Sequence, residues 1–318
     1  MGLAPLRTVF LGTPAFAVPT LERLLAAGHH VLEVITQPDR PKGRKQELAA
    51  SPVKECALRH GLPVYQPERI RRPESVAHLQ ELAPEVMIVV GYGQIIPQVI
   101  IDVPRLGILN VHGSLLPQLR GAAPLQWAVA RGFEKSGVTI MKIDAGLDTG
   151  DMLAKYETPV GPDETAVELG ERLATAGADL LVETLKLLAL GRITPEKQDD
   201  SLATHAPILK KEDGRIDWTK PAGEIHNLIR GLLPWPGAHT VFRGQSIHLW
   251  RSRAVSRTVL DTRDLPPGTL IHQNGVFAVG GDGAALELLE VQLEGRKRMA
   301  ADVFANGSRL TRTERFEA

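Results

Sequence analysis

Short apolar runs that alternate with amphipathic segments constrain the fold of the first two-thirds of this chain more than any other feature. The clearest run is Val86–Val90, five apolar residues that lead directly into a glycine-rich turn. A run without polar residues indicates a strand buried on both faces, as in a parallel sheet. Four further segments that are mostly apolar are also predicted to be strands: Thr8–Leu11, Val31–Thr36, Leu106–Val111 and Gly137–Ile143. Residues 1–191 are therefore expected to form an α/β domain with a mostly parallel sheet.

A capping residue predicts one of the helices, and leucine spacing predicts another. Ser51 followed by Pro52 is typical of an N-cap and first helical position, and Cys56 falls on the apolar face of the helix that follows. Leucines at helical spacing from Leu169 to Leu188 predict a second, longer helix. Cys56 is the single cysteine of the chain, which excludes an internal disulfide and every multi-thiolate metal site.

The pattern changes in the last third of the chain. Residues 192–206 are polar and are interpreted as a linker. Residues 207–318 contain five short strand-like segments separated by turn signals such as Asn274-Gly275. Five short strands in a small domain favour a second, antiparallel domain of the OB-like β-barrel type.

Charge and hydropathy exclude several classes of protein. The 37 basic and 37 acidic side chains cancel, so this chain is not a general polycation, and any polyanion must be bound locally. Residues 206–318 carry a small basic excess, with 16 basic and 13 acidic side chains. No apolar run approaches the roughly 20 residues of a membrane helix. We expect a cytoplasmic protein without a membrane anchor.

One long connection between predicted elements has an unusual composition. The segment between Ile35 and Ser51 contains several prolines and four clustered basic residues, which are Arg40, Lys42, Arg44 and Lys45. Loops of this length in α/β domains are either functional or disordered.

Two predicted strand ends carry side chains suited to acyl transfer. Asn110 and His112 are two apart on one strand and so project to the same face, at the edge where open α/β sheets bind ligands. A second turn, Asp144–Asp151, supplies carboxylates. An amide and an imidazole can stabilise an oxyanion, and a carboxylate favours the protonated imidazole. An amine substrate would itself be the nucleophile, so no catalytic serine or cysteine is needed.

The same segments carry a resemblance to a known family. They are Asn110–Pro117, Arg120–Pro124, Gly137–Met141 and Gly146–Asp151, with Gly12–Pro14, Thr36–Pro41, Ser51–Lys54 and Pro234–Pro236 outside this core. The core resembles the signature of folate-dependent formyltransferases. The outer segments resemble the branch of that family that acts on methionyl-tRNA.

The resemblance implies both a fold and a reaction. A Rossmann-like domain would transfer the formyl group of 10-formyltetrahydrofolate, without a metal, to the α-amino group of initiator methionyl-tRNA. Asn110 and His112 would stabilise the tetrahedral oxyanion, and Asp148 would support His112 and proton transfer. Asp144 and Asp151 are the alternative carboxylates and are interpreted as structural.

The resemblance also implies which segments bind the two substrates. The folate would contact Ser114, Leu115, Leu116 and Pro117. The acceptor end of the tRNA would contact Arg40, Lys42, Arg44 and Lys45, of which Arg44 matches the important arginine of the family. The second domain would also contact the tRNA, with candidates Lys210, Lys211, Arg296, Lys297 and Arg298. The protein is expected to be a monomer.

Several alternatives share part of this pattern. A formyltransferase acting on an amino-sugar nucleotide, or a 10-formyltetrahydrofolate hydrolase domain, would have the same Asn, His and Asp. The basic loop and the second domain favour tRNA over both. A glycinamide formyltransferase would be shorter and lack the second domain. A nicotinamide dehydrogenase is disfavoured because the first turn, at Gly12, has no Gly-x-Gly-x-x-Gly. If the chain were only an RNA-binding protein, the Asn-Val-His segment would have no function.

Overall fold

The computed structural model describes residues 5–42, 47–255, 262, 264–311 and 314–317. The chain divides into two compact units. The first consists of Met1–Pro124, Ser136–Thr158 and Gly170–Pro207. The second consists of Leu125–Lys135, Pro159–Leu169 and Ile208–Ala318.

The helices and strands up to residue 207 follow the predicted α/β alternation. The strands are β1 (Arg7–Gly12), β2 (His30–Ile35), β3 (Arg40–Lys42), β4 (Glu47–Ala49), β5 (Val64–Tyr65), β6 (Val86–Val90), β7 (Ile108–His112), β8 (Arg120–Gly121), β9 (Lys135–Lys142), β10 (Met152–Pro159) and β11 (His205–Ala206). The helices are α1 (Val18–Ala26), α2 (Pro52–Arg59), α3 (Pro73–Leu82), α4 (Gln98–Ile101), α5 (Pro124–Ala130) and α6 (Ala166–Ala189).

Seven of these strands form one sheet in the order β10-β9-β7-β6-β1-β2-β5. Strands β5, β2, β1, β6 and β7 pair in parallel, and β9 joins β7 antiparallel. The mostly parallel sheet predicted from the apolar runs is thereby confirmed. All five residues of β6 are buried, as a strand covered on both faces requires.

Local signals in the sequence place the helices correctly. The Ser51 side chain accepts a hydrogen bond from the Lys54 backbone N–H at the start of α2, which confirms the predicted N-cap. Cys56 is fully buried, as its position on the apolar face indicated. Its burial and the nearby Glu22 carboxylate raise the pKa of the Cys56 thiol, so the group behaves as a small apolar side chain.

Turns after β1, β2 and β6 are tied together at the carboxyl edge of the sheet. Thr13 Oγ1 and Gln37 Nε2 both donate to the Tyr92 carbonyl, at 3.2 and 3.1 Å. The carboxyl ends of parallel strands face one edge of a sheet, and the loops that extend them form the ligand-binding crevice of such folds. This edge is where β7 delivers Asn110 and His112.

The long basic connection contains secondary structure that its composition did not indicate. Strands β3 and β4 pair antiparallel as a hairpin, with Arg40 opposite Ala49. Just before β3, the Asp39 carboxylate bonds Lys54 Nζ at 2.5 Å and Gln66 Nε2 at 2.8 Å. These contacts fix the base of the hairpin on the first unit.

The second unit is built on an antiparallel sheet. Its strands are β12 (Ala238–Phe242), β13 (Gln245–Ala254), β14 (Leu270–His272), β15 (Val276–Val279), β16 (Ala285–Leu293) and β17 (Met299–Ala300), with helices α7 (Ala222–Gly231) and α8 (Ala301–Ser308). The order is β12-β13-β16-β15-β14, and β17 pairs with β16. The five predicted strands are all present, and their inward faces share one apolar core with Trp218, Phe242, Phe304 and Phe316.

A short C-terminal segment bonds to both ends of this strand order. The Leu270 N–H, in β14, donates to the Glu314 carbonyl at 2.8 Å. The Glu317 N–H donates to the Val241 carbonyl of β12 at 2.9 Å. Residues 314–317 therefore satisfy backbone groups on the two strands that lie furthest apart in the pairing order.

Among the described residues, no helix has the length and apolar character needed to cross a membrane.

Candidate active site

Asn110 and His112 occupy the carboxyl half of β7, where the sheet changes from parallel to antiparallel pairing. Asn110 lies opposite Met141 of β9, and His112 lies opposite Thr139. Both side chains are largely buried, at 8% and 5% exposed. Their spacing of two residues places them on one side of the strand, and both contact the same carboxylate, that of Asp148.

Asp148 reaches this strand end from the turn between β9 and β10. Its Oδ2 accepts a hydrogen bond from the Gly121 N–H at 2.8 Å and lies 3.7 Å from His112 Nδ1. Its Oδ1 lies 3.5 Å from Asn110 Nδ2. Asp148 has a left-handed backbone (φ 53°), a region that aspartate tolerates better than most residues. The structure thus brings all three residues together, although 38 residues separate the first from the last.

The two ring nitrogens of His112 have different roles. Nε2 lies 3.0 Å from the Leu119 carbonyl oxygen, which can only accept, so Nε2 carries a hydrogen. Nδ1 faces Asp148 at 3.7 Å, longer than a direct hydrogen bond. Nδ1 is therefore the nitrogen that can exchange a proton or meet a substrate atom.

The predicted linker packs on this cluster and supports it. Gln198 Nε2 donates to the carbonyls of Asp148 and Gly150, both at 2.8 Å. Gln198 Oε1 accepts from Arg120 Nε at 3.0 Å, and Arg120 Nη2 bonds Asp200 at 2.7 Å. Arg120 is 6% exposed. The turn that carries Asp148 is thus held by a buried arginine through a glutamine.

A two-residue ladder joins the same segments through their backbones. β8 pairs in parallel with β11, and a Cβ at Gly121 would lie 2.7 Å from the Ala206 carbonyl oxygen. Gly121 also has φ 118°, which disfavours other residues. A side chain at Gly121 would force β8 and β11 apart and so displace the Gly121 N–H that binds Asp148.

The predicted folate-binding residues form a loop that the protein already holds in place. Thr139 Oγ1 donates to the Ser114 carbonyl at 2.7 Å and accepts from the Leu116 N–H at 3.1 Å. The Pro117 carbonyl accepts from the Thr204 N–H at 3.4 Å. No such bond to the described residues engages the Leu115 N–H or the Leu116 carbonyl. The backbone of this loop is therefore held in place by Thr139 and Thr204.

The predicted tRNA-binding residues are only partly described. Arg40 is exposed at the start of β3. Lys42 ends β3, and Arg44 and Lys45 lie outside the described residues.

The two alternative carboxylates are placed elsewhere. Asp144 is exposed and accepts hydrogen bonds from Gly146 N and Thr149 Oγ1 at 3.0 and 2.8 Å, which shape the turn. Among the described residues, no hydrogen bond or ion pair joins the side chain of Asp144 or Asp151 to Asn110 or His112.

Sequence reasoning missed the residues that hold the site. Arg120 and Gly121 stand in the signature segment but had no assigned role, and Gln198 and Thr204 lie in a stretch with no periodicity. Only their contacts in the folded chain identify them.

Comparison with known proteins identifies the relatives of this chain. Residues 6–185 match the family model described as formyl transferase, and residues 208–309 match the formyl transferase C-terminal domain. The methionyl-tRNA formyltransferase of Solibacter usitatus is 60% identical over 311 residues, which cover 98% of each chain. The methionyl-tRNA formyltransferase of Koribacter versatilis is 56% identical and covers 95% of each.

Solved structures show the same fold at low identity. An N-formyltransferase from Helicobacter canadensis, solved with folinic acid and dTDP-3-aminofucose, superposes with a TM-score of 0.67. It is 18% identical and covers 90% of this chain and 99% of its own.

Proposed function

This chain belongs to the formyl transferase family, and from that membership we propose that it transfers the formyl group of 10-formyltetrahydrofolate to the α-amino group of initiator methionyl-tRNA. The product, N-formylmethionyl-tRNA, serves translation initiation. Relatives of this activity match nearly the whole chain at 60% and 56% identity.

The observation that carries the chemistry is the convergence of Asn110, His112 and Asp148. Asn110 Nδ2 and His112 Nδ1 lie 3.5 and 3.7 Å from the two oxygens of one carboxylate. Both distances are long for hydrogen bonds. Asn110 Nδ2 and His112 Nδ1 thus lie near the same carboxylate without forming short hydrogen bonds to it. Both nitrogens therefore remain available to a substrate oxygen.

Asn110 and His112 would act where negative charge develops. The α-amino nitrogen bonds to the formyl carbon, and the carbonyl oxygen becomes an oxyanion. Asn110 Nδ2 and protonated His112 Nδ1 would donate to that oxyanion. One such donor contributes roughly 10²–10³ in rate. When the bond from the formyl carbon to the folate nitrogen breaks, the carbonyl is restored on the amino acid.

Asp148 would take part in the proton transfers of the reaction. The attacking amine loses one proton, and the folate nitrogen gains one as it leaves. Oδ2 of Asp148 faces His112 Nδ1 at 3.7 Å, which is close enough for the carboxylate to orient this imidazole. The carboxylate can accept the proton that the amine loses, a step that typically contributes 10²–10⁴-fold.

The substrate contacts of this proposal are those that the family resemblance implies. The Leu115 N–H and Leu116 carbonyl of the Ser114–Pro117 loop would bond the folate. Arg40, Lys42, Arg44 and Lys45 would bind phosphates near the amino-acid end of the tRNA, because such contacts position a nucleic acid without reading its sequence.

The architecture of the second unit also belongs to this proposal. The bonds from residues 314–317 to β12 and β14 support closure of the antiparallel sheet into an OB-like barrel. We assign residues 1–191 to catalysis, 192–206 to the connection and 207–318 to tRNA binding. We further expect a cytoplasmic monomer.

The test is formylation with separate acceptors. The protein is incubated with labelled 10-formyltetrahydrofolate and with methionyl-tRNA, an amino-sugar nucleotide or water as acceptor. Labelled formylmethionyl-tRNA is expected. Its absence at high enzyme concentration contradicts the proposal, and faster labelling of the sugar or faster release of free formate would assign the chain to one of the alternative activities.

A further inference from the structure

Strand β13 changes its buried side part-way along its length. Ile247 and Leu249 are buried in its first half, whereas Ser252 is buried in its second half and Arg251 and Arg253 are exposed. The pairing with β16 shifts register on both sides of Arg251. Such a bulge re-aims side chains and is common beside functional sites. Here it turns two arginines outward together.

These arginines line a small recess within the second unit. Its polar lining is Asp163, Thr165, Arg230, Arg251, Ser252 and Arg253, and its volume is about 90 Å³. We call it the arginine recess. A more open groove of about 360 Å³ shares Arg251 and Leu289 with the recess and contains Arg298 and Glu290.

Arg230 is the innermost cation of the recess. It is only 7% exposed. Its Nη1 donates to the Gly161 and Glu164 carbonyls, and its Nε donates to Asn227. No hydrogen bond from its Nη2 to the described residues is found. Burial lowers the pKa of this guanidinium, opposed by the nearby Asp163 and Glu164 carboxylates. A buried cation whose hydrogen-bond partners are mainly neutral oxygens would be stabilised by an anion at its free edge.

The other arginines are held outward at the mouth. Arg298 packs over the Trp250 ring, 4.0 Å from its centroid, and lies 3.6 Å from Glu290. Arg253 lies 3.4 Å from Glu287 and keeps 58% of its side chain exposed. Exposed pairs of this kind are weak, so the arginines can turn toward a stronger anion.

Charge and size together define the ligand. Four arginines line the recess and groove, against Asp163 and Glu290. The recess is smaller than the roughly 300–1,000 Å³ of a small-molecule site, so it fits one anionic group but not a whole nucleotide. The adjoining groove leaves room for a chain that continues beyond that group. Arginine is suited to phosphate because its planar donors match two phosphate oxygens.

We propose that the arginine recess binds a backbone phosphate of the RNA substrate, with the neighbouring nucleotides along the groove. This proposal rests on the proposed function, which supplies the RNA, and it identifies one phosphate contact within the second unit by its residues. Free inorganic phosphate has the same chemistry, and the test separates the two sources.

The test compares an Arg251→Gln/Arg253→Gln double variant with Arg215→Gln, which removes one exposed positive charge elsewhere in the second unit. Formylation kinetics and tRNA binding are measured from 50 to 300 mM salt. The double variant is expected to raise KM for methionyl-tRNA about tenfold, with kcat and KM for the folate unchanged. Loss of one to two phosphate contacts should reduce the slope of log Kd against log salt by about 1 to 2. Arg215→Gln should change neither quantity.

Two further measurements exclude misfolding and binding of free phosphate as explanations. Arg251→Lys/Arg253→Lys keeps the charge and should restore most of the salt slope, which a misfolded variant would not do. Inorganic phosphate alone is also titrated into wild-type protein and the Gln variant. If wild-type protein formylates methionyl-tRNA while the Gln variant keeps its KM and salt slope, the recess proposal is wrong and the proposed function stands. Arginine-dependent binding of inorganic phosphate with unchanged tRNA affinity would likewise overturn it, as a free-phosphate site only.

Discussion

The proposed catalytic cluster of the first unit, which consists of Asn110, His112 and Asp148, and the arginine recess of the second unit use charge in opposite ways. His112 and Asp148 have side chains that are 5% and 16% exposed, and their supports are short hydrogen bonds from Gly121 and Gln198. Arg253 and Arg298, by contrast, are 58% and 51% exposed and lie 3.4 and 3.6 Å from Glu287 and Glu290.

The buried cluster therefore depends on fixed geometry, whereas the exposed arginines can attract an anion and adjust to it. Buried charges interact strongly because the local dielectric constant is low. Displacement of a catalytic group by about 1 Å therefore lowers the reaction rate. Exposed arginines act through a field that salt screens. Changes in the first region should therefore lower kcat, and changes in basic surfaces should raise KM in a salt-dependent way.

Removal of the shared carboxylate should give the largest effect. Asp148→Ala leaves His112 Nδ1 without its anion and Asn110 without its partner, so kcat should fall by about 10³. Steady-state formyl transfer measures the loss, and the thermal midpoint should remain close to wild type. Asp144→Ala is the matched control and should keep nearly full activity. A fully active Asp148→Ala would transfer the role to Asp144 or Asp151.

Loss of the glutamine that holds the Asp148 turn should have a smaller effect. Gln198→Ala removes two hydrogen bonds to the carbonyls of Asp148 and Gly150, so kcat should fall roughly 10- to 100-fold with little change in KM. Gln198→Glu keeps an acceptor for Arg120 but places a carboxylate against those carbonyls. It should therefore not rescue kcat. Recovery of activity in Gln198→Glu would show that only the arginine contact matters.

A change in the basic segment between Ile35 and Ser51 should act on tRNA use alone. Arg44→Ala is expected to raise KM for methionyl-tRNA about tenfold, most strongly at low salt, and to leave folate affinity unchanged. Kinetics with each substrate varied in turn measure the two effects. Lys186→Ala, an exposed basic residue of α6, is the control. Equal loss toward both substrates would indicate misfolding.

The smallest expected effect concerns the stability of the second unit. His226 is buried and contacts Ser252 and the Pro162 carbonyl, with Asp163 and Arg230 nearby. Desolvation lowers the pKa of His226, so protonation favours the unfolded state. Its contribution is complete above the unfolded value of about 6.5 and is lost as the pH falls through and below that value.

Urea unfolding at pH 7.5, 6.5 and 5.5 measures this pH dependence. His226→Gln cannot titrate, so its free energy of unfolding should fall less with acid than that of the wild type. The exposed His60→Gln serves as control. An unchanged pH dependence in His226→Gln would assign the effect to other groups.

The sequence by itself determined most of the secondary-structure elements and the position of Asn110 and His112 on one strand. Continuous apolar runs such as Val86–Val90 can satisfy burial only as covered strands, and the capping Ser51 fixes the start of α2. Residues two apart on a strand share a face, which placed Asn110 beside His112 before any coordinates were known. These inferences depend on short-range periodicity, which the sequence carries directly.

Contacts between distant segments were decided only by the tertiary structure. No local pattern tells which carboxylate of the Asp144–Asp151 turn reaches His112, because all lie on one short turn and the choice depends on the left-handed backbone at Asp148. Gln198 and Arg120 are 78 residues apart, and a polar segment without periodicity does not reveal that it supports a catalytic turn.

The arginine recess was hidden for the same reason. Arg251 and Arg253 alternate with Ser252 as in any exposed strand, and only the register shifts against β16 turn them to the side where Arg230 lies. Chain periodicity therefore specified which side chains are available, and long-range packing specified which of them meet.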